Sequence, residues 1–194
     1  MIPVRDVIPS RTAPGVTAAL LAAMAAALAW PAVREWWLPW ASHAVVLWLA
    51  GATLEDRFGH ARFAAFAAAC AAVAALAPLL RGHGVGIAPA ATGAVAGVIA
   101  AYLVMYPRSR VLMLVPVAVG IELADVPAWL VFACWAAIQA AAAWSVLTWS
   151  PSADAAGMFA SAAAGAVAGA LGGRLLPRPE RMRVEWWDPP ASQS

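Results

Sequence analysis

An all-α bundle of six membrane-spanning helices is the fold class this sequence predicts, and three observations predict it. Hydrophobic residues make up 64% of the 194 and charged residues 11%, with a mean hydropathy of +0.78, which is too apolar for a water-soluble globule. The apolar residues fall into long runs parted by short polar breaks, as in a polytopic bundle whose backbone must pair with itself inside the bilayer. The basic residues are all arginine and they alternate. Arg5 and Arg11 precede the first run, Arg57 and Arg62 lie between the second and third, Arg108 and Arg110 follow the fourth, and Arg174, Arg178, Arg181 and Arg183 follow the last. Only Arg34 and Arg81 occupy the other connections, so the positive-inside rule predicts both termini in the cytoplasm. A formal net charge of +2 carries no sign of a nucleic-acid partner.

Residues 1–14 are polar and proline-rich, and predict a cytoplasmic lead-in rather than a helix. The first span runs from Gly15 to Trp30 and is stopped by Pro31; its Arg11 lead and its Ala27-Leu28-Ala29 end resemble a signal peptide, but it reads as a retained span. The connection Ala32 to Ala41 carries Trp36, Trp37 and Trp40 beside Arg34 and Glu35, a composition suited to the headgroup layer. Ser42 to Leu54 forms the second span, made long enough by Trp36 to Trp40, and Glu55-Asp56-Arg57 is a charged cytoplasmic turn that caps helix ends and pairs locally. The third span covers Ala61 to Leu80, and Arg81 to Gly86 is a glycine-rich outer loop. The fourth, Ala90 to Tyr106, opens with Thr92 and Gly93 at its mouth and closes at Pro107. Residues 109–126 read as a cytoplasmic-side segment dipping into the bilayer, because Pro116 and Gly120 interrupt an apolar run that Glu122 and Asp125 follow. Pro127 to Leu147 is the fifth span, residues 149–154 an outer loop, and Ala155 to Leu176 the sixth. The tail, 177–194, rests Trp186 and Trp187 at the cytoplasmic interface and then frays. Residues 15–176 are thus one membrane domain between a lead-in and a tail.

Gly93 and Gly97 share one helix face, and Gly165, Gly169 and Gly173 repeat the four-residue spacing that lets helix backbones approach closely. The fourth and sixth spans are therefore expected to pack backbone to backbone. Cys70 and Cys134 both lie in apolar runs, where a thiol behaves as a small hydrophobe, and no disulfide is assigned.

Four segments together resemble the rhomboid family of intramembrane serine proteases. They are the opening MIPVRDVIPSR, LWLAGATLEDRFGHARF at 47–63, ATGAVAGVIAAYLVMYPRSRVLMLVPV at 91–117, and PAWLVFACWAAIQ at 127–139, in the family's order and over most of the chain. The resemblance implies a six-helix rhomboid-like fold and locates a site, but the site's chemistry is missing. The nucleophilic serine of the family's G-A-S-G falls on Thr92, with Ala90 replacing the first glycine, and β-branching restricts the rotamers of the remaining hydroxyl. The general-base histidine of the sixth helix falls on Ala162, or on Ser161 if the register slides by one. The H-x-x-x-N of the second helix, which helps bind the oxyanion, falls on Pro39 and His43. A hydroxyl without a base is a poor nucleophile, and losing an oxyanion donor costs about 3 kcal/mol. The family's long first loop, which shapes substrate entry, has no counterpart in the short stretch from Pro31 to Ala41.

Other groupings are weighed against this background. A relocated His43/Thr92 pair is conceivable, because the two positions face each other in the family's site, but His43 also suits a helix start at the interface. His43, His83 and Asp154 share the outer side without a metal-ligand spacing, and His60 lies across the bilayer from them, so no metal and no cofactor are expected. Trp48, Trp129, Phe132, Trp135 and Trp144 are the candidate faces for a partner helix. The reading is a catalytically inactive pseudoprotease in a bacterial inner membrane, contacting lipids and the transmembrane helices of clients or of a complex. Its alternatives are an altered protease at Thr92 and an accessory subunit of a larger membrane complex.

Overall fold

The protein is a polytopic helical membrane protein. The computed structural model describes residues 2–6, 13–34, 37–80, 82, 86–117, 120–149 and 155–176. The expectations for His83, for the 150–154 loop with Asp154, and for the tail with Trp186 and Trp187 lie outside those residues.

Helix α1 is Gly15–Ala27, followed by a turn and the short α2, Pro31–Arg34. The second span is one continuous helix built of α3 (Trp37–Val46), a π-helical turn (Leu47–Gly51) and α4 (Ala52–Phe58). Then come α5 (His60–Leu80), α6 (Ile87–Met105), α7 (Ala128–Trp149) and α8 (Ala155–Leu175). Long apolar stretches in α5, α6, α7 and α8 suffice to cross a bilayer.

Strands occur where the sequence assigned no regular element. Within the segment read as dipping into the bilayer, β2 (Arg110–Val117) and β3 (Gly120–Pro127) pair as an antiparallel hairpin, which satisfies their backbone groups locally. In the lead-in, expected not to be a helix, Ile2–Asp6 forms β1 and pairs antiparallel with β2, giving the order β1-β2-β3. Pro116 is compatible with the central strand because β1 pairs only with residues 111–114, so Pro116 lies beyond that ladder. Finally, Thr92 is not at the mouth of its helix. Helix α6 begins at Ile87, after Gly86, and Thr92 is its sixth residue.

Glu55, expected in a charged cytoplasmic turn that caps helix ends, is fully buried in α4 and reaches the start of α1. One carboxylate oxygen accepts the Val16 amide at 2.8 Å, and the other accepts the Thr17 amide and hydroxyl, each at 2.7 Å. These are first-turn amides with no partner inside α1, so a side chain from another helix performs the cap. His60, at the head of α5, also bonds this carboxylate.

Helix α6 is the axis of the bundle, with Thr92, Gly93, Val95 to Ile99, Ala101 and Tyr102 buried. Its glycine face meets α8: a Cβ placed on Gly165 would strike the Gly93 carbonyl, and one on Gly169 the Gly97 carbonyl. A Cβ on Gly173 would fall 2.9 Å from the Ala101 Cα. On the other side Gly97 admits the Cys70 thiol of α5, whose sulfur would lie 2.6 Å from an added Cβ.

Candidate functional site

The site lies where α3, α6 and α7 converge, and each helix gives it polar atoms in an otherwise apolar wall. From α6 comes Thr92 and from α3 comes His43, 4% and 3% exposed. The Thr92 Oγ1 lies 3.1 Å from His43 Nε2. The other ring nitrogen, Nδ1, bonds the Pro39 carbonyl one helical turn back. A carbonyl only accepts, so its bond requires the proton on Nδ1; Nε2 is then the free lone pair to which the Thr92 hydroxyl donates, and the Gln139 amide nitrogen, 3.2 Å from Nδ1, is its neighbour and not its donor.

Helix α7 adds Gln139, whose amide nitrogen donates to Ser42 Oγ at 3.0 Å and lies 3.4 Å from the Pro39 carbonyl. Ser42 donates to that same carbonyl at 2.6 Å. The imidazole is flanked by rings: Trp135 stands edge-on at 5.7 Å between centroids, and Trp40 is tilted at 6.1 Å. The indole N–H of Trp40 donates to the Met24 carbonyl of α1 at 2.9 Å, which fixes the ring. Among the described residues, Trp135 Nε1 and Ser161 Oγ are buried and have no hydrogen-bond partner.

The positions singled out from sequence therefore scatter. Thr92, His43 and Pro39 come together, with Thr92 and His43 bonded directly. Ala162 presents only a methyl and packs against the core. Ser161 is fully buried, and its backbone carbonyl would lie 2.9 Å from a Cβ on Gly93, the residue after Thr92. Among the proposed partner-facing aromatics, Trp48, Trp129 and Trp144 are exposed. Phe132 and Trp135 are not available to a partner, a correction whose cause is packing: Phe132 stacks edge-on with Tyr102, and Trp135 covers His43. His60 is engaged with Glu55. No group of residues suited to a metal ion occurs among the described residues. Cys70 is buried, Cys134 is exposed, and both are free.

Gln139 and Ser42 are the site residues that sequence reading left without a role, and Trp40, read as an interfacial ring, is instead buried between His43 and Met24. Gln139 carried a signal, as the sole amide side chain in a 22-residue apolar helix.

Chemically, the pair supplies a hydroxyl whose proton has an acceptor. Acyl transfer also needs donors for the oxyanion and access for water and substrate. The Thr92 amide is past the first turn of α6, so its hydrogen bond is spent inside the helix. The chain contains no asparagine to replace the family's donor. Near-complete burial of both partners closes the site.

In comparisons with known proteins, the family model described as Rhomboid domain matches residues 37–176, well over half of the chain. No curated protein and no solved structure matches it.

Proposed function

The chain belongs to the rhomboid family, and within that family we propose a non-catalytic role: a pseudoprotease that binds apolar membrane partners without cutting them. The observation that carries this is the sealed Thr92–His43 pair, 4% and 3% exposed beneath Trp40 and Trp135. The methyl of Ala162 at the general-base register and the lack of an asparagine at the family's oxyanion-binding position point the same way. In this reading the pair is a clasp between the second and fourth spans, each group satisfying the other's buried hydrogen bond. Exposed Trp48, Trp129 and Trp144 offer aromatic surface to a transmembrane helix of a client or a complex. The test is proteolysis of a model transmembrane substrate in proteoliposomes. No cleavage above that of Thr92→Ala is expected, and cleavage that Thr92→Ala abolishes overturns the reading.

One observation favours a second reading, an altered hydrolase using Thr92. The 3.1 Å contact and the tautomer fixed by Pro39 are what a nucleophile and its base require. A fluorophosphonate probe distinguishes the two: labelling lost in both Thr92→Ala and His43→Gln supports the hydrolase, and labelling equal in all three proteins sinks it.

A further inference from the structure

A partly open groove of about 480 Å³ lies among α1, α3, α5 and α6; it adjoins the Thr92–His43 pair through the Trp40 ring, but neither member of the pair lines it. Its wall is wholly apolar and rich in alanine, including Ala64, Ala68 and Ala71 of α5 and Ala90, Ala91 and Ala94 of α6. Along α1 it extends from Val16 to Ala27, which at 1.5 Å per residue is about 16 Å, or one leaflet of a hydrocarbon core about 30 Å thick.

Size decides what fits. A helix about 10 Å across would need about 1,200 Å³ to be enclosed over that length, so the groove cannot swallow one and would meet it only across its open side. A hydrocarbon chain one van der Waals contact wide, about 4 Å, needs about 200 Å³, so the two chains of one lipid fill the groove.

Charge decides which lipid. Ala27 and Trp40 bound one end of the groove, and the connection between them carries Arg34 in α2 with its side chain exposed. Trp30 and Trp37, 67% and 61% exposed, flank this arginine and mark the headgroup layer. We propose that the groove holds the acyl chains of one anionic phospholipid whose headgroup phosphate is met by Arg34. This goes beyond the reading of the Thr92 site and does not depend on it, since a chain with or without peptidase activity would hold the lipid equally.

The test uses the full chain, delipidated in mild detergent and titrated separately with phosphatidylglycerol and phosphatidylcholine, with bound lipid counted by native mass spectrometry. One phosphatidylglycerol per chain is expected, with about fivefold preference over phosphatidylcholine from one surface arginine. Ala94→Phe, which fills the groove, is expected to lose both lipids, while Ala141→Phe on the exposed face of α7 keeps them. Arg34→Gln is exposed and does not threaten folding, so it carries the decisive arm: lipid is retained and the preference disappears. Wild-type protein that retains no lipid, Ala94→Phe that retains one, or Arg34→Gln that still prefers phosphatidylglycerol overturns the proposal.

Discussion

At the scale of single residues, Glu55 shows how one buried side chain replaces a local signal. Helix α1 begins after Pro14 with no side-chain cap of its own, and the carboxylate of Glu55 receives its Val16 and Thr17 amides instead. Glu55→Gln keeps one acceptor oxygen and loses the charge, so it should lower the unfolding free energy by about 1–3 kcal/mol, read as an earlier detergent-denaturation midpoint. A variant as stable as the wild type would show that the carboxylate is not what holds the start of α1. Sequence reading placed Glu55 at a helix end but not in the interior, because the amides it serves lie almost forty residues earlier. His43 and Thr92 were legible only through the family resemblance, whereas the lack of an imidazole near Gly165 could be read directly.

At the scale of elements, glycines in different helices face different obstacles, and only Gly165 of the three compared lies in the contact of α6 with α8. Gly165 abuts the Gly93 backbone, which cannot move unless the helices part; Gly172 faces the buried Phe66 ring of α5, whose Cε2 would lie 2.5 Å from an added Cβ and must shift against Phe58 and Phe63; Gly15 of α1 has open space. Gly165→Ala should therefore cost about 3 kcal/mol, at the upper end of overpacking penalties, and Gly172→Ala about 1–2 kcal/mol, because a side chain yields more readily than backbone. Gly15→Ala should be neutral or slightly stabilising, through the reduced freedom of the unfolded chain. Denaturation midpoints that fail to follow this order would mean that α6 and α8 are not held by backbone contact. The helices themselves were legible because apolar runs were punctuated by Pro31 and Pro107. The sheet was not. The run from Val111 to Val117 has the composition of a strand and equally of a short membrane-inserted segment, and hydrophobicity alone does not separate them. Its partner strand β1 lies about a hundred residues earlier, a separation that no local pattern records.

At the scale of the whole molecule, the sheet constrains how the chain crosses the membrane. Pairing of β1 with β2 puts the residues before α1 and after α6 on one side. Four helical units lie between them: α1, the α3 to α4 helix, α5 and α6. Only an even number of crossings returns the chain to its starting side, so if the last three cross, α1 must cross as well. At 13 residues, about 20 Å, α1 is shorter than a hydrocarbon core of about 30 Å, which requires local thinning or help from the following turn. The arginine distribution predicts, by the positive-inside rule, that the sheet side faces the cytoplasm. With Cys70 and Cys134 replaced by alanine, single cysteines at Arg108→Cys and Trp30→Cys test both statements, since both positions are exposed. A membrane-impermeant maleimide should label Arg108→Cys only from the cytoplasmic side and Trp30→Cys only from the other. Labelling of both from the same side would mean that α1 lies along the interface without crossing, and the parity argument would then require another of the four units to remain on one side.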